Sequence, residues 1–244
     1  MANWSDPRSD IAGFGSASAA RSEAFDAGLR KYMLSVYNYM ASGVLLTGIV
    51  ALLFAQSGLA YQVFAGPGIL KYIVMFAPLA FVMVLSFGIN KLSTFATQAL
   101  YWAYAAVMGV SLSYIFLAYT GTSIAQTFFA TAAAFAGLSL FGYTTKKDLS
   151  GFGTFLIMGV VGLLVASLIN IFLRSSMMDL VISAVGVLLF AGLTAYDTQK
   201  IKSIYAYVAG TEMMGKSVVM GALNLYLDFI NMFLFLLRLF GDRR

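Results

Sequence analysis

The sequence predicts an all-α integral membrane protein with seven transmembrane helices, and three observations lead to this fold class. Hydrophobic residues make up 61% of the 244 residues and charged residues only 10%, whereas soluble domains carry about 25% charged residues. The mean hydropathy is +0.86, and apolar runs near the length of about 20 residues that crosses a bilayer recur along the chain. These runs are too continuous for the alternation of a β-barrel, so they are predicted to be helices that close their own backbone hydrogen bonds.

The chain divides into a polar tail and a membrane domain. Residues 1–30 are rich in charged, Ser, Ala and Gly residues and are predicted to form a cytoplasmic tail. Residues 31–244 are predicted to form the seven-helix transmembrane domain. The first apolar run, residues 34–55, is too long for a removable signal peptide, so it is predicted to remain as the first span.

Six further apolar runs supply the other spans, and turn-forming or charged residues separate them. The predicted spans after the first are residues 72–89, 98–118, 123–143, 152–172, 180–196 and 218–237. A longer polar stretch, residues 200–216, separates the last two. Small residues four positions apart, Ala133 with Gly137 and Gly162 with Ala166, are predicted to let neighbouring helices approach closely.

The basic residues predict the orientation of the chain in the membrane. If the N-terminus is inside, ten Lys and Arg residues lie on the inner side and five on the outer side. This excess predicts a cytoplasmic N-terminus. Three of the five outer residues are Arg238, Arg243 and Arg244, so the last segment either spans fully or turns back within the membrane.

The sequence contains neither cysteine nor histidine. Disulfides, thiolate chemistry and thiol metal sites are therefore excluded, together with the commonest metal ligand and the usual general base. A serine intramembrane protease that relies on a histidine base is excluded for the same reason. No basic patch interleaved with aromatic residues is present, so no nucleic-acid partner is predicted.

Two aspartates within or beside apolar spans are the candidate functional residues, because ionisable groups cost about 2.5–3.5 kcal/mol in a membrane on insertion scales. Asp197 lies at the end of the sixth run, and Asp228 lies well inside the seventh. Asn224 and Asn231 share a helix face with Asp228, and Thr194 shares a face with Asp197. The resulting polar stripe is predicted to face the bundle interior, where a hairpin of the last two spans could join the two carboxylates.

Other interpretations of these residues remain open. Asp197 could be an interfacial helix-end carboxylate paired with Lys200, and Asp228 could hold the bundle through a hydrogen bond or an ion pair. Two aspartates on neighbouring spans are also typical of intramembrane aspartyl proteases. That class requires a Gly-x-Gly-Asp motif, whereas Leu225-Tyr226-Leu227 precedes Asp228, which counts against a protease.

Three segments resemble the Bax inhibitor-1 family, also called the transmembrane Bax inhibitor motif family, and in particular its bacterial members. The most specific is residues 222–238, with the sequence ALNLYLDFINMFLFLLR. Residues 196–199, YDTQ, match a second motif, and residues 141–150, FGYTTKKDLS, match a loop common in bacterial members. The resemblance covers nearly the whole chain in its number of spans.

The resemblance implies a fold with the last helix at the centre and a calcium leak that an aspartate pair regulates by pH. At the matching positions this pair is Asp197 and Asp228. Family members can also carry an arginine latch at the inner end of the second helix, where this chain has Asn90 and Lys91. Either would be a weaker substitute, because lysine lacks the two-pronged planar donor of arginine.

Carboxylate chemistry agrees with this implied role. Two carboxylates held together in a low dielectric cannot both ionise cheaply, so the pair is expected to share a proton. Tight calcium sites use about six to eight oxygen ligands. Asp197, Asp228, Asn224 and Asn231 supply fewer than that, which predicts weak, transient binding of calcium as the transported ion and no cofactor.

The resemblance implies location in the bacterial inner membrane, with the lipid bilayer and calcium as partners. Some bacterial members resemble modulators of a membrane-anchored ATP-dependent protease, which the N-terminal tail could engage. Non-catalytic modulation of that kind is therefore the alternative function. A proton-coupled exchanger also remains open, because no motif reports strict coupling. Neither of these functions makes the protein an enzyme.

Overall fold

The computed structural model describes residues 7–244, with side chains from residue 23 onward. Its helices are α1 (Pro7–Gln56), α2 (Leu59–Ala65), α3 (Leu70–Gly88), α4 (Thr94–Leu112), α5 (Ile115–Ala118), α6 (Gly121–Thr144), α7 (Ser150–Leu173), α8 (Ser176–Val208) and α9 (Met213–Phe240). Among the described residues, seven helical segments are long and apolar enough to cross a membrane, and α4 with α5 forms one of them. The predicted fold class is therefore confirmed.

The first helix begins much earlier than its apolar run. Helix α1 starts at Pro7, a residue whose fixed φ suits the first helical position. The ring of Phe25 lies 5.0 Å from that of Tyr205, and Leu29 is buried. The end of the polar segment therefore packs on α8 as part of the same helix as the first span. The predicted contact between the N-terminal tail and a protease falls mainly on residues 1–22, and the structure does not describe the side chains of these residues.

Helix α8 is longer than its predicted span. The apolar run was predicted to end at Tyr196, but the helix continues to Val208 and the chain then turns at Gly210, whose φ is 75°. Glycine tolerates this left-handed conformation, which ends helices. Asp197 therefore lies about three turns before the end of a helix and is not a helix-end carboxylate.

The last helix occupies the centre of the bundle, as predicted. In its most apolar window 67% of the residues are buried, against at most 44% in the other spans. Helix α9 packs against α8, α1, α6 and α4. It is one continuous helix of 28 residues, about 42 Å long, so its length is that of a full span and it does not turn back.

The predicted small-residue contacts are wrong, and other glycines make the close approaches. A Cβ atom added at Gly137 or Gly162 would meet nothing within 4 Å. At Gly142 of α6, by contrast, an added Cβ would collide with the carbonyl oxygen of Ala195 in α8. Spacing alone did not reveal which side of α6 faces the bundle.

The C-terminal end of α9 is fastened to the start of α8. The guanidinium of Arg238 lies 3.3 Å from the carboxylate of Asp179, and that of Arg243 lies 3.8 Å from it. The backbone N–H of Thr120 also donates to the carbonyl of Asp242 at 3.1 Å. Because these ion pairs are substantially exposed, each contributes at most about 1 kcal/mol.

Asp148 stabilises the turn that leads into α7. Its Oδ1 accepts the backbone N–H of Ser150 at 2.9 Å, and hydrogen bonds from the Ser150 side chain and backbone lower the pKa of the carboxyl. A lowered pKa means that the stabilisation is present above the ordinary carboxyl pKa of about 3.9 and is lost as the pH falls through the lowered value. We expect Asp148→Ala to lower thermal stability slightly at neutral pH.

This difference between Asp148→Ala and the unsubstituted protein should disappear at acid pH. The measurement is thermal unfolding in detergent from about pH 2 to about pH 7. A deficit that persists unchanged at the acid end would contradict the role of the ionised carboxylate.

Candidate functional site

The predicted polar stripe on α9 faces α8. Gly221 and Asp228 are buried, whereas Asn224 and Asn231 are half-buried. A Cβ atom added at Gly221 would lie 3.2 Å from the side chain of Ile201 on α8. The small glycine therefore lets the two helices approach about two turns before Asp228. The structure places the stripe inside the bundle, as its polarity requires.

Asp228 lies in the most enclosed part of this stripe. Only 4% of the residue is exposed, and its Oδ2 has no hydrogen-bond partner among the residues that the structure describes. An ionised carboxylate left unpaired in such a place costs several kcal/mol. Asp228 is therefore poorly suited to the packing role that the sequence left open, because no ion pair within the described chain compensates its burial.

Asp197 approaches Asp228 from α8. It is half-buried and lies close enough for its charge to act on Asp228. The Asp228 Oδ2 takes no hydrogen bond from Asp197 or from any other described residue. The charge of Lys200 acts on Asp197, but the Lys200 ammonium lies over the ring of Tyr196 at 5.8 Å, and no ion pair with Asp197 forms.

The other predicted members of the site are mostly hydrogen-bonded to their own helices. The Thr194 hydroxyl donates to the carbonyl of Phe190 at 2.8 Å, and the Asn231 amide donates to the carbonyl of Leu227 at 2.8 Å. Their oxygen atoms remain available as acceptors. Among described residues, no group of three acidic side chains could hold a metal ion, so any calcium here would also need amide, carbonyl or water oxygens.

The structure does not form the predicted latch. Asn90 and Lys91 are exposed in the turn after α3, and the only ion pairs among residues 23–244 are those of Asp179. The turn after α3 is instead hydrogen-bonded to α9, because the Lys216 ammonium donates to the Ile89 carbonyl at 3.2 Å. A latch from Lys91 to Asp197 is therefore absent from this conformation.

Sequence reasoning missed a chain of hydroxyl groups beside Asp197. The Thr198 hydroxyl donates to the Thr194 carbonyl at 2.8 Å, so Ser139 must donate its proton to Thr198, at 2.8 Å. Tyr37 then donates to Ser139 at 2.9 Å. This chain of hydrogen bonds joins α1, α6 and α8 next to Asp197. In the sequence its one indication is Thr198, a hydroxyl residue that directly follows Asp197.

A second missed network positions α9. The Thr47 hydroxyl donates to the Ala105 carbonyl at 2.8 Å, which leaves it to accept from the Tyr226 hydroxyl at 2.7 Å. Tyr104 packs edge-on against Tyr226, with ring centroids 5.2 Å apart. Helix α9 is thus fixed to α1 and α4 two residues before Asp228, which sets the rotation that turns the carboxylate inward.

Gln199 and Lys202 anchor the segment between α6 and α7 to α8. The Gln199 side chain accepts the backbone N–H of Leu149 at 2.9 Å and donates to the carbonyl of Lys147 at 2.8 Å. The Lys202 ammonium donates to the Tyr143 carbonyl at 2.8 Å. These contacts join the YDTQ segment and the loop over residues 141–150 into one packed unit.

Comparison with known proteins agrees with this architecture. A sequence model of the family described as inhibitor of apoptosis-promoting Bax1 matches residues 29–244. A protein of Rickettsia prowazekii is 46% identical over 226 residues, which cover 92% of this chain and 95% of the relative. A protein of Caulobacter vibrioides is 47% identical over 231 residues, covering 90% and 91% of the two chains.

A third relative carries a location in its name. The inner membrane protein YbhL of Escherichia coli is 46% identical over 220 residues, which cover 89% of this chain and 94% of YbhL. The family match extends over all seven spans and both aspartates. The chain is therefore an integral membrane protein of the Bax inhibitor-1 family.

Proposed function

We propose that this protein is a pH-sensitive calcium leak channel of the inner membrane that Asp197 and Asp228 regulate. The observation that carries the proposal is the buried Asp228 carboxylate, which has an unpartnered oxygen beside a second aspartate at the centre of the bundle. A carboxylate pair in a low dielectric changes its charge by sharing or losing a proton. It can therefore sense pH in a chain that contains no histidine.

The surroundings of the pair support a switch formed by these two groups. Helix α9 packs against α8, α1, α6 and α4. On α8 the charge that acts on Asp197 is that of Lys200. The other titratable side chains that α1, α4 and α6 carry among the described residues are tyrosines and, near the start of α1, Glu23, Asp26, Arg30 and Lys31. Asp197 and Asp228 are therefore the acidic pair of the bundle interior, and we assign the change of charge to them.

The ligand set supports passage of calcium over storage. Two carboxylates with the amide oxygens of Asn224 and Asn231 offer fewer ligands than the six to eight of a tight calcium site. Ions must leave a conducting site as readily as they enter, so weak coordination favours a leak. We place the N-terminus in the cytoplasm, in keeping with the excess of basic residues at that end of the helices.

Calcium flux into proteoliposomes tests the proposal. The full chain is reconstituted and flux is followed from about pH 6 to about pH 8, a range in which one titrating group can change its population by up to about tenfold per pH unit. We expect flux above that of protein-free liposomes, with a marked pH dependence that Asp197→Asn flattens.

Asp179→Asn is the matched control. Asp179 lies on the same helix, α8, about 27 Å from Asp197 along its axis, and its carboxylate is paired with Arg238 and Arg243. This variant should keep the original pH profile. If the unsubstituted protein passes no calcium at any pH, the leak proposal is wrong. The modulation of a membrane-anchored ATP-dependent protease, tested by co-purification, then becomes the leading proposal.

A further inference from the structure

A lateral groove opens between α1 and α6. Both helices pack on α9 but barely on each other, and the space between them is a cavity of about 850 Å³. Phe229 of α9 forms the floor, and its ring lies 5.5 Å from that of Phe128 and 5.6 Å from that of Phe135, measured between centroids. Met40 and Val44 form the α1 wall. We call this cavity the α1–α6 groove.

The groove faces the interior of the bilayer. Both of its walls are membrane-spanning segments, and the apolar side chains at its rim point outward. Leu34 is 53% exposed, Leu45 is 64% exposed and Leu140 is 63% exposed. A molecule that enters the groove sideways must therefore come from the hydrocarbon region of the membrane.

One end of the groove is polar and the other is not. Helices α1 and α6 run antiparallel, and the Tyr37–Ser139 hydrogen bond joins them across the groove. Arg30 and Tyr143 line the groove beyond this bond, in the direction of the N-terminus of α1. The Lys202 ammonium lies at the same end, 4.8 Å from the centroid of the Tyr143 ring. Two cations therefore stand at the polar end of an otherwise apolar channel.

The apolar part has the length of one lipid leaflet. It extends from Tyr37 to Leu45 on α1 and from Ser139 back to Phe128 on α6, about 12 and 17 Å at 1.5 Å per residue. The hydrocarbon core of a bilayer is about 30 Å thick, so one leaflet contributes about 15 Å. An acyl chain whose headgroup lies at the polar end would therefore extend along the whole apolar part of the groove.

We propose that the α1–α6 groove binds an anionic phospholipid of the surrounding bilayer. One acyl chain lies on the Phe229 floor, and the phosphate lies between Arg30 and Lys202. Anionic headgroups fit this end because Arg30 lines it and the Lys202 ammonium lies against the ring of Tyr143, another lining residue. The proposal goes beyond calcium flux and does not depend on it.

Native mass spectrometry tests the lipid site. The full chain is reconstituted in nanodiscs that contain equal amounts of phosphatidylglycerol and phosphatidylcholine, and is then released from the nanodiscs in the mass spectrometer. We expect the unsubstituted protein to retain one phosphatidylglycerol. Ala136→Phe places a ring inside the groove, because Ala136 lines it, and should reduce the retained fraction severalfold. Arg30→Gln should reduce the preference for phosphatidylglycerol by about fivefold.

Ala134→Phe is the matched control. Ala134 is also exposed on α6 but lies on the opposite side of the helix from the groove, so this variant should retain lipid like the unsubstituted protein. Thermal unfolding shows that each variant is folded before its lipid is measured. Equal retention by Ala136→Phe and the unsubstituted protein would overturn the site. Equal retention of the two lipids by the unsubstituted protein would overturn the role of Arg30 and Lys202, and a dimer without lipid would overturn the proposed occupant.

Discussion

Asp228→Asn is expected to abolish the pH dependence of calcium flux through the reconstituted protein. Asparagine has nearly the same shape as aspartate and no charge to gain or lose. The Asp228 side chain is almost fully enclosed, with 4% of the residue exposed, so its charged form costs several kcal/mol more than a neutral polar group there. A difference of 1.36 kcal/mol corresponds to one pH unit, and the energy that separates the two states of Asp228 is therefore ample for a switch.

The double variant Asp197→Asn with Asp228→Asn sharpens this experiment. Groups that act as one unit are not additive, since removing either partner already removes the function of the pair. We expect the flux profiles of the two single variants and the double variant to be equally flat between about pH 6 and about pH 8. Circular dichroism and thermal unfolding establish that the three variants are folded.

Two results would count against the pair. A profile for Asp228→Asn that matches the unsubstituted protein would reduce Asp228 to a packing role. The aspartates would titrate independently if each single variant lost part of the pH dependence of flux and the double variant lost the sum of the two parts. In that case each would need its own electrostatic partner, and Lys200 is the cation whose charge reaches Asp197.

Gly142→Ala is expected to destabilise the protein despite the higher helix propensity of alanine. A Cβ atom at this position would collide with the Ala195 carbonyl of α8, so α6 and α8 must separate. Overpacking of this kind costs about 1–3 kcal/mol. The same movement would lengthen the Ser139–Thr198 hydrogen bond, which is 2.8 Å long, and disturb α8 two residues before Asp197.

Gly137→Ala is the control on the same helix. An added Cβ would meet nothing within 4 Å of Gly137, so only the helix preference of about 1 kcal/mol for alanine over glycine acts there. Thermal unfolding of both variants in detergent is the measurement. We expect a lower melting temperature for Gly142→Ala and an unchanged or higher one for Gly137→Ala. Equal changes in the melting temperatures of the two variants would show that α6 and α8 can separate at Gly142 without loss of stability.

The spans and the fold class could be predicted from residues alone because the bilayer acts on each segment separately. A run such as residues 152–172 must be a helix whatever its neighbours are, since lipid offers no partner for its backbone. The sequence did not predict the extension of α8 to Val208, because the residues after Tyr196 are too polar to be recognised as part of a membrane span. Contacts with other helices, such as the Lys202–Tyr143 hydrogen bond, stabilise this part of the helix.

The candidate site was only partly within reach of the sequence. Helical spacing placed Asn224, Asp228 and Asn231 on one face, and their polarity predicted that this face points inward. The expected latch at Lys91 was not found, because side-chain reach depends on how the turn after α3 is held. The Tyr37–Ser139–Thr198 chain was invisible, since its members lie on three helices about 60 to 160 residues apart in the chain.

By itself the sequence determined the seven spans, the inward polarity of the last helix and the two aspartates, because each depends on local hydropathy and on the 3.6-residue period of a helix. Only the tertiary structure decided which neighbours those side chains meet. Glycine packing at Gly142 and Gly221, and the Thr47–Tyr226 hydrogen bond, fix the distance and rotation of the helices. These contacts bring Asp197 and Asp228 together and leave the α1–α6 groove open, since helix spacing and rotation arise from pairs of segments and not from any single one.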